Sequence, residues 1–359
     1  MTSTKKIIIA TVYNSENCGS YLQAWSLFQV LKFRGYDVAF LKRNSKHTSH
    51  SFGLHLINAS KDIIKLRFSH AIAVIKEWFV FNRLQKQFKI ARKGGAFYKE
   101  ASLQIIGSDT LWNFETAYFK DMAQTYLGQA FFPKPSVTYA VSAANTSSEL
   151  FISVYKENNN NKGIRKYLVR DTHTAELVRS VTGETPHIVC DPTMLLSPKG
   201  FNTLEATKPP IDRYLLIYCF GNIAIMKDAI ISYAKQRGLK TVSFLTKREW
   251  CDYSVEEDPR LMVTYYKYAA CVVSNTFHGT AFSIIYEKPF AVFDEGKNKV
   301  KELLQMYKQE KRLISAPESL KKSLDCDITD DDIQTFNIIK EKSLTLLFNT
   351  VSNELDRKV

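Results

Sequence analysis

Short apolar runs, each followed by a polar or glycine-bearing turn and then by residues at helical spacing, recur along most of the chain. No other feature constrains the fold as much, because runs of this kind suit strands buried on both faces of a parallel sheet between helices. The runs are Lys6–Val12, Asp37–Leu41, Leu103–Ile106, Val137–Val141, Ile164–Val169, His187–Cys190, Tyr214–Cys219, Thr241–Leu245, Cys271–Ser274 and Phe290–Phe293. Helices are expected between them at Ser20–Arg34, Thr172–Val181, Ile225–Gln236, Tyr265–Ala270, Thr280–Tyr286 and Lys299–Lys308, with a last one from Thr329 to about Leu355. Thr146-Ser147-Ser148-Glu149 fits a capping box that opens one more. The fold class is α/β.

A chain of 359 residues predicts about two domains. Ser197-Pro198, Gly200 and Pro209-Pro210 interrupt all periodicity and mark the boundary. The expected organisation is an N-terminal α/β domain over 1–196, a linker over 197–212, a C-terminal α/β domain over 213–328 and a terminal helix over 329–359. Two such domains imply a Rossmann-like pair facing a cleft, with the last helix free to cross back.

Net charge is +13, and residues 1–100 carry 17 basic against 5 acidic side chains. A basic, aromatic-rich insertion at about 54–97, read as two helices ending at Gly94-Gly95, holds much of it. Such a surface suits an ordinary helix pair or an anionic membrane; no nucleic-acid-binding pattern accompanies it. No uncharged apolar stretch approaches the roughly 18 residues needed to cross a bilayer, and no secretory leader is read at the start. The six cysteines contain no CxxC pair, so no metal site is expected and a cytoplasmic setting is the natural one.

Four segments could carry chemistry. In Cys271–Pro289 a strand leads into Thr276-Phe277-His278-Gly279 and then a helix near Thr280. This puts His278 where open parallel sheets bind ligands, with a helix N-terminus for an anion. A histidine there can give or take a proton near neutral pH, or can simply close a strand end. Arg170-Asp171 follows another strand; Arg170 suits bidentate phosphate or carboxylate recognition, and Asp171 could be a plain helix cap. Gly107-Ser108-Asp109 is the third segment, where Ser108 and Asp109 could meet sugar hydroxyls or start a helix. Asn17-Cys18-Gly19-Ser20 is the fourth; with one glycine it fails the dinucleotide fingerprint. Asp325–Asp332 lacks the glycine and the glutamate of a calcium loop and reads as a capped helix start.

Together with Trp112, Asp191-Pro192-Thr193 and Lys288-Pro289, these segments stand in an order that resembles the polysaccharide pyruvyl transferase family. The resemblance implies a glycosyltransferase-B-like enzyme that moves the enolpyruvyl unit of phosphoenolpyruvate onto a sugar, usually as a cyclic ketal. It implies His278 as the catalytic acid/base and Arg170 on the donor anion, with Thr276, Phe277, Gly279 and Thr280 beside the donor. Asn17, Gly19, Ser108 and Asp109 would face the acceptor glycan. Many members carry arginine where Thr276 stands, so Lys247-Arg248 and Lys288 are the cationic candidates to replace it. No cofactor is implied beyond phosphoenolpyruvate as co-substrate. A lipid-linked acceptor would place the enzyme at the inner face of the membrane. A sugar-nucleotide glycosyltransferase and a catalytically idle glycan-binding relative are the competing readings.

Overall fold

The computed structural model describes residues 4–43, 68–158 and 163–357, the side chains of 68–74 excepted. His47, His50, Lys65, Arg67 and the asparagines at 159–161 therefore lie outside the described residues. The chain divides into two units, residues 1–195 with 341–359, and residues 196–340.

The first unit is built on a six-stranded parallel sheet of β1 (Lys6–Ala10), β2 (Asp37–Leu41), β3 (Ile90–Ala91), β4 (Leu103–Ile106), β5 (Ser136–Thr138) and β6 (Ile164–Lys166). Their order is β3-β2-β1-β4-β5-β6. Ile7, Ile8 and Ile9 in the middle strand are fully buried, and Ile8 lies in register with Ala39 and Gln104. Their β-branched side chains suit a pleated surface covered on both faces. Helix α1 (Cys18–Phe33) follows β1 with twelve of its sixteen residues buried.

The run expected as one strand over Ile164–Val169 divides instead. After β6 the chain enters a separate two-stranded sheet of β7 (Leu168–Val169) and β8 (His187–Ile188). The capping box is also corrected. Ser147 Oγ accepts from the Leu150 amide at 3.3 Å, whereas Thr146 donates to the Trp112 carbonyl at 2.8 Å.

The basic stretch gives helix α2 (Phe68–Gln85), the short edge strand β3, and a helical turn at Ala96–Glu100 after the two glycines. Phe81 and Phe88 are 1% and 5% exposed, because both join an aromatic cluster with Tyr21, Phe28 and Phe40 in the core. Lys86, Lys89, Arg92 and Lys93 stay on the surface.

The second unit repeats the plan. Its strands β9 (Tyr214–Tyr218), β10 (Lys240–Phe244), β11 (Tyr253–Val255), β12 (Cys271–Ser274), β13 (Phe290–Phe293) and β14 (Leu313–Ile314) are all parallel, in the order β11-β10-β9-β12-β13-β14. Both units thus share the order of a Rossmann fold. The helix expected over Tyr265–Ala270 begins earlier, as Pro259–Tyr268, because Asp258 caps it and Pro259 takes the first position.

The last helix, Asp330–Asp356, begins in the second unit and ends in the first. There Ser343 Oγ accepts from the Cys190 amide at 3.1 Å, Lys5 Nζ donates to the Leu355 carbonyl at 3.2 Å, and Leu347 and Val351 are fully buried. Among the described residues, no helix is long and apolar enough to cross a membrane.

Candidate functional site

In the second unit the strand order reverses between β9 and β12, so ligands are expected where these two strands end. Asn275 ties the two departing loops together. Its Oδ1 accepts from the Phe220 amide at 2.9 Å, and its Nδ2 donates to the Phe220 carbonyl at 2.8 Å. Thr276 then caps the next helix, its Oγ1 accepting from the Gly279 amide at 2.8 Å. That helix runs Phe277–Ile285, three residues earlier than expected. His278 therefore belongs to its first turn and not to a loop before it.

Of the residues 276–280, only His278 is half-buried, and the other four are buried. Thr276 is engaged as the cap, and the Thr280 hydroxyl donates to the Thr276 carbonyl at 2.8 Å. Gly279 is required by its neighbours, since a Cβ there would lie 2.1 Å from Ser274 Oγ and 2.8 Å from Tyr218 Cδ1. The His278 ring stands edge-on to Phe277 at 5.3 Å. No carboxylate occupies the first turn, so the helix dipole there favours an anion.

The candidate cations separate clearly. Lys247 is exposed. Arg248 is 8% exposed, and its Nη2 donates to the carbonyls of Cys219 at 3.0 Å and Gly221 at 3.1 Å, just past β9. Lys288 donates to the Lys267 carbonyl at 2.8 Å, at the amino end of β13 and so at the sheet edge away from His278.

A cation that the sequence reading missed is Lys297, whose Nζ donates to the Asn275 carbonyl at 3.2 Å and pairs with Glu295 at 2.5 Å. The signal was available, for Asp294-Glu295-Gly296-Lys297 directly follows the apolar run Phe290–Phe293. Burial pushes the nearby Cys219 thiol up to about 12, while Arg248 and Lys297 oppose the rise. The two cations thus act on one neighbourhood.

In the first unit the reversal falls between β1 and β4. Asn17 caps α1 by accepting from the Ser20 amide at 3.0 Å, and Gly19 is buried in its first turn. Ser20 Oγ donates to Asp109 Oδ2 at 2.7 Å, and Asp109 Oδ1 accepts from the Thr110 amide at 2.8 Å. Ser108 is fully buried, so its hydroxyl serves the protein interior: it accepts from the Asp109 amide at 2.6 Å and donates to Asp191 Oδ2 at 3.4 Å.

Asp191 is the hub. Its Oδ2 pairs with Arg170 Nη1 at 3.3 Å, and its Oδ1 accepts from the Thr193 amide and hydroxyl at 3.0 and 2.9 Å. Asp191 is 1% and Arg170 7% exposed, so the pair is held away from water with the guanidinium fixed in direction. Asp171 caps the helix Thr172–Thr182 through the Thr174 amide at 2.8 Å. Gly107 admits no side chain, for a Cβ would stand 1.9 Å from the Tyr139 carbonyl oxygen and its φ is +147°. The structure thus gathers Ser108, Asp109, Arg170 and Asp191 in one unit and Thr276–Thr280 with Arg248 and Lys297 in the other. Among the described residues, no group of three or more His, Cys, Asp or Glu could hold a metal ion.

The polysaccharide pyruvyl transferase family model matches residues 17–297, well over half of the chain. The chain belongs to the polysaccharide pyruvyl transferase family. The site residues named above, from Asn17 to Lys297, lie within that match, which makes this a transferase family chain of polysaccharide biosynthesis. No curated protein matches it.

Among solved structures, the UDP-GlcNAc 2-epimerase from Methanocaldococcus jannaschii is similar with a TM-score of 0.51 at 9% identity, covering 91% of this chain and 93% of that one. The UDP-N-acetylglucosamine 2-epimerase from Rickettsia bellii is similar with a TM-score of 0.50 at 8% identity, covering 98% of each chain. At such identities the likeness concerns the fold alone, two Rossmann-like domains of the glycosyltransferase-B kind.

Proposed function

We propose that this pyruvyl transferase family member transfers the enolpyruvyl unit of phosphoenolpyruvate to a sugar of a cell-surface polysaccharide precursor, releasing phosphate. The observation that carries the reading is the placement of His278. It is the half-buried side chain of an otherwise buried helix opening, at the carboxyl end of β12, with Lys297 and Arg248 about the same strand ends. In this reading a proton is added to the methylene carbon of phosphoenolpyruvate and a sugar hydroxyl bonds to the adjacent carbon, releasing its own proton. A second hydroxyl then closes the ketal as the bond to phosphate breaks, and its proton leaves with the phosphate. His278 is the acid/base, and Arg170, oriented by Asp191, is assigned to the donor anion.

The test is to incubate the protein with phosphoenolpyruvate and candidate galactosides or mannosides, following phosphate release and the gain of pyruvate mass on the sugar. Turnover of a sugar nucleotide instead would replace this reading with a glycosyltransferase, and inertness toward every donor with a glycan-binding relative.

Thr276 leaves the donor phosphate without the arginine many relatives have, and Lys297 is assigned to that charge. Lys297→Met is expected to raise KM for phosphoenolpyruvate about tenfold with kcat within twofold, as for removal of binding shared by ground and transition states. An unchanged KM would remove Lys297 from the donor site.

The reading also places the enzyme against anionic lipid, through Lys86, Lys89, Arg92 and Lys93. Phe81 and Phe88 are committed to the core while Phe79 stays 54% exposed, and the basic residues supply an electrostatic attraction worth roughly 1 kcal/mol each at low salt. Sedimentation with vesicles containing phosphatidylserine is expected at low salt and lost on reversing those four charges. Equal sedimentation of the variant would rule this out.

A further inference from the structure

Arg43 follows β2, Tyr13 and Asn14 follow β1, and Asp109 follows β4, so one carboxyl edge of the first unit's sheet assembles a cluster in which Arg43, Tyr13 and Asn14 have no role assigned above. The Arg43 guanidinium lies over the Tyr118 ring at 4.7 Å, and its Nη1 donates to Asn14 Oδ1. Its Nε is buried, with no hydrogen-bond partner among the described residues. The Tyr118 hydroxyl is likewise buried without a partner, whereas the Tyr126 hydroxyl faces the Arg43 guanidinium within hydrogen-bonding reach. The acid within electrostatic reach, Asp109, has its carboxylate engaged by Ser20 and Thr110. Burial pulls the Arg43 guanidinium below its ordinary range, and it pushes the Tyr126 phenol up to about 12.

A desolvated guanidinium without a paired carboxylate is costly, and proteins keep buried charges paired. With one face stacked, one nitrogen on Asn14 and the Tyr126 hydroxyl facing the guanidinium, Nε is the donor left without a partner, and it is suited to an oxygen of an oxyanion. We infer that Arg43, with Asn14 and Tyr118, binds an oxyanion on the sugar acceptor, a phosphate ester or a uronic acid carboxylate. This rests on the proposed function in taking the ligand to be the acceptor, and it narrows that acceptor to anionic glycans.

The test is titration calorimetry of the full chain with galactose, galacturonic acid and galactose 1-phosphate. At least one charged sugar is expected to bind tenfold or more tighter than galactose, and which one does so distinguishes carboxylate from phosphate. Arg43→Met is expected to abolish the preference. Arg43→Lys, which keeps the charge but not the fork, is expected to reduce it below threefold and serves alone if the methionine variant does not fold. Equal binding of charged and neutral sugars by the parent chain, or an intact preference in the variants, overturns the inference. Affinity for phosphoenolpyruvate is read separately and is expected to stay within twofold in both variants. A chain that binds no phosphoenolpyruvate removes the donor reading and leaves the comparison of sugars standing.

Discussion

His278→Ala is expected to lower kcat for phosphate release by about 10²–10⁴-fold, the usual contribution of a positioned acid/base. The substitution leaves the helix opening intact. Thr276 still caps the Gly279 amide, the Thr280 hydroxyl still meets the Thr276 carbonyl, and the ring removed is half-buried. A change at such a position alters stability by roughly half a kcal/mol, so the melting temperature is expected to move by only about 1–2 °C. The two readouts together are the test. Activity within fivefold of the parent would withdraw the catalytic assignment, whereas inactivity accompanied by melting would leave His278 a structural role only.

The largest effect on stability is expected from Gly107→Ala. The new methyl would stand 1.9 Å from the Tyr139 carbonyl oxygen, at a φ of +147° that side chains rarely adopt. Because the same segment carries Ser108 and Asp109 onto Asp191 and Ser20, the backbone cannot retreat without opening that hydrogen-bonded cluster. The expected loss is about 3–5 kcal/mol, a fall of roughly 10–15 °C in melting temperature. Gly183→Ala is the control. Its φ is +73° but nothing lies within 4 Å of the added methyl, so only the left-handed backbone is penalised, at about 1 kcal/mol. Equal falls for the two variants would show that the Tyr139 contact is unimportant.

Strands buried on both faces were legible in the sequence because their apolar runs are continuous, and Ile7–Ile9 and Cys271–Ser274 stand where expected. The edge strands β3, β11 and β14, of two or three residues each, gave no such run. Helix starts were misplaced where the cap outweighed the apolar pattern. Asp258-Pro259 and Thr276 open helices ahead of the first clear apolar spacing.

The candidate site was legible as positions after strands and less so as contacts. His278 and Arg170 were visible because each follows an apolar run. The partnership of Arg170 with Asp191, the bridging by Asn275 and the cation at Lys297 depend on chain crossings that spacing does not encode. Ser108 and Thr280 were legible as small polar residues, yet both are fully buried, a matter of packing depth that composition does not reveal.

The terminal helix has a consequence for synthesis. Residues 341–359 belong to the unit that begins at residue 1, so the half translated first is completed last. At about 5–20 residues per second, the ribosome needs roughly 10–30 s after residue 195 to deliver that helix. During that interval the backbone amide of Cys190 lacks Ser343, and the carbonyl that Lys5 meets at Leu355 has not been made. The nascent first half therefore has all six strands of its sheet but lacks the helix that supplies Ser343 and Leu355.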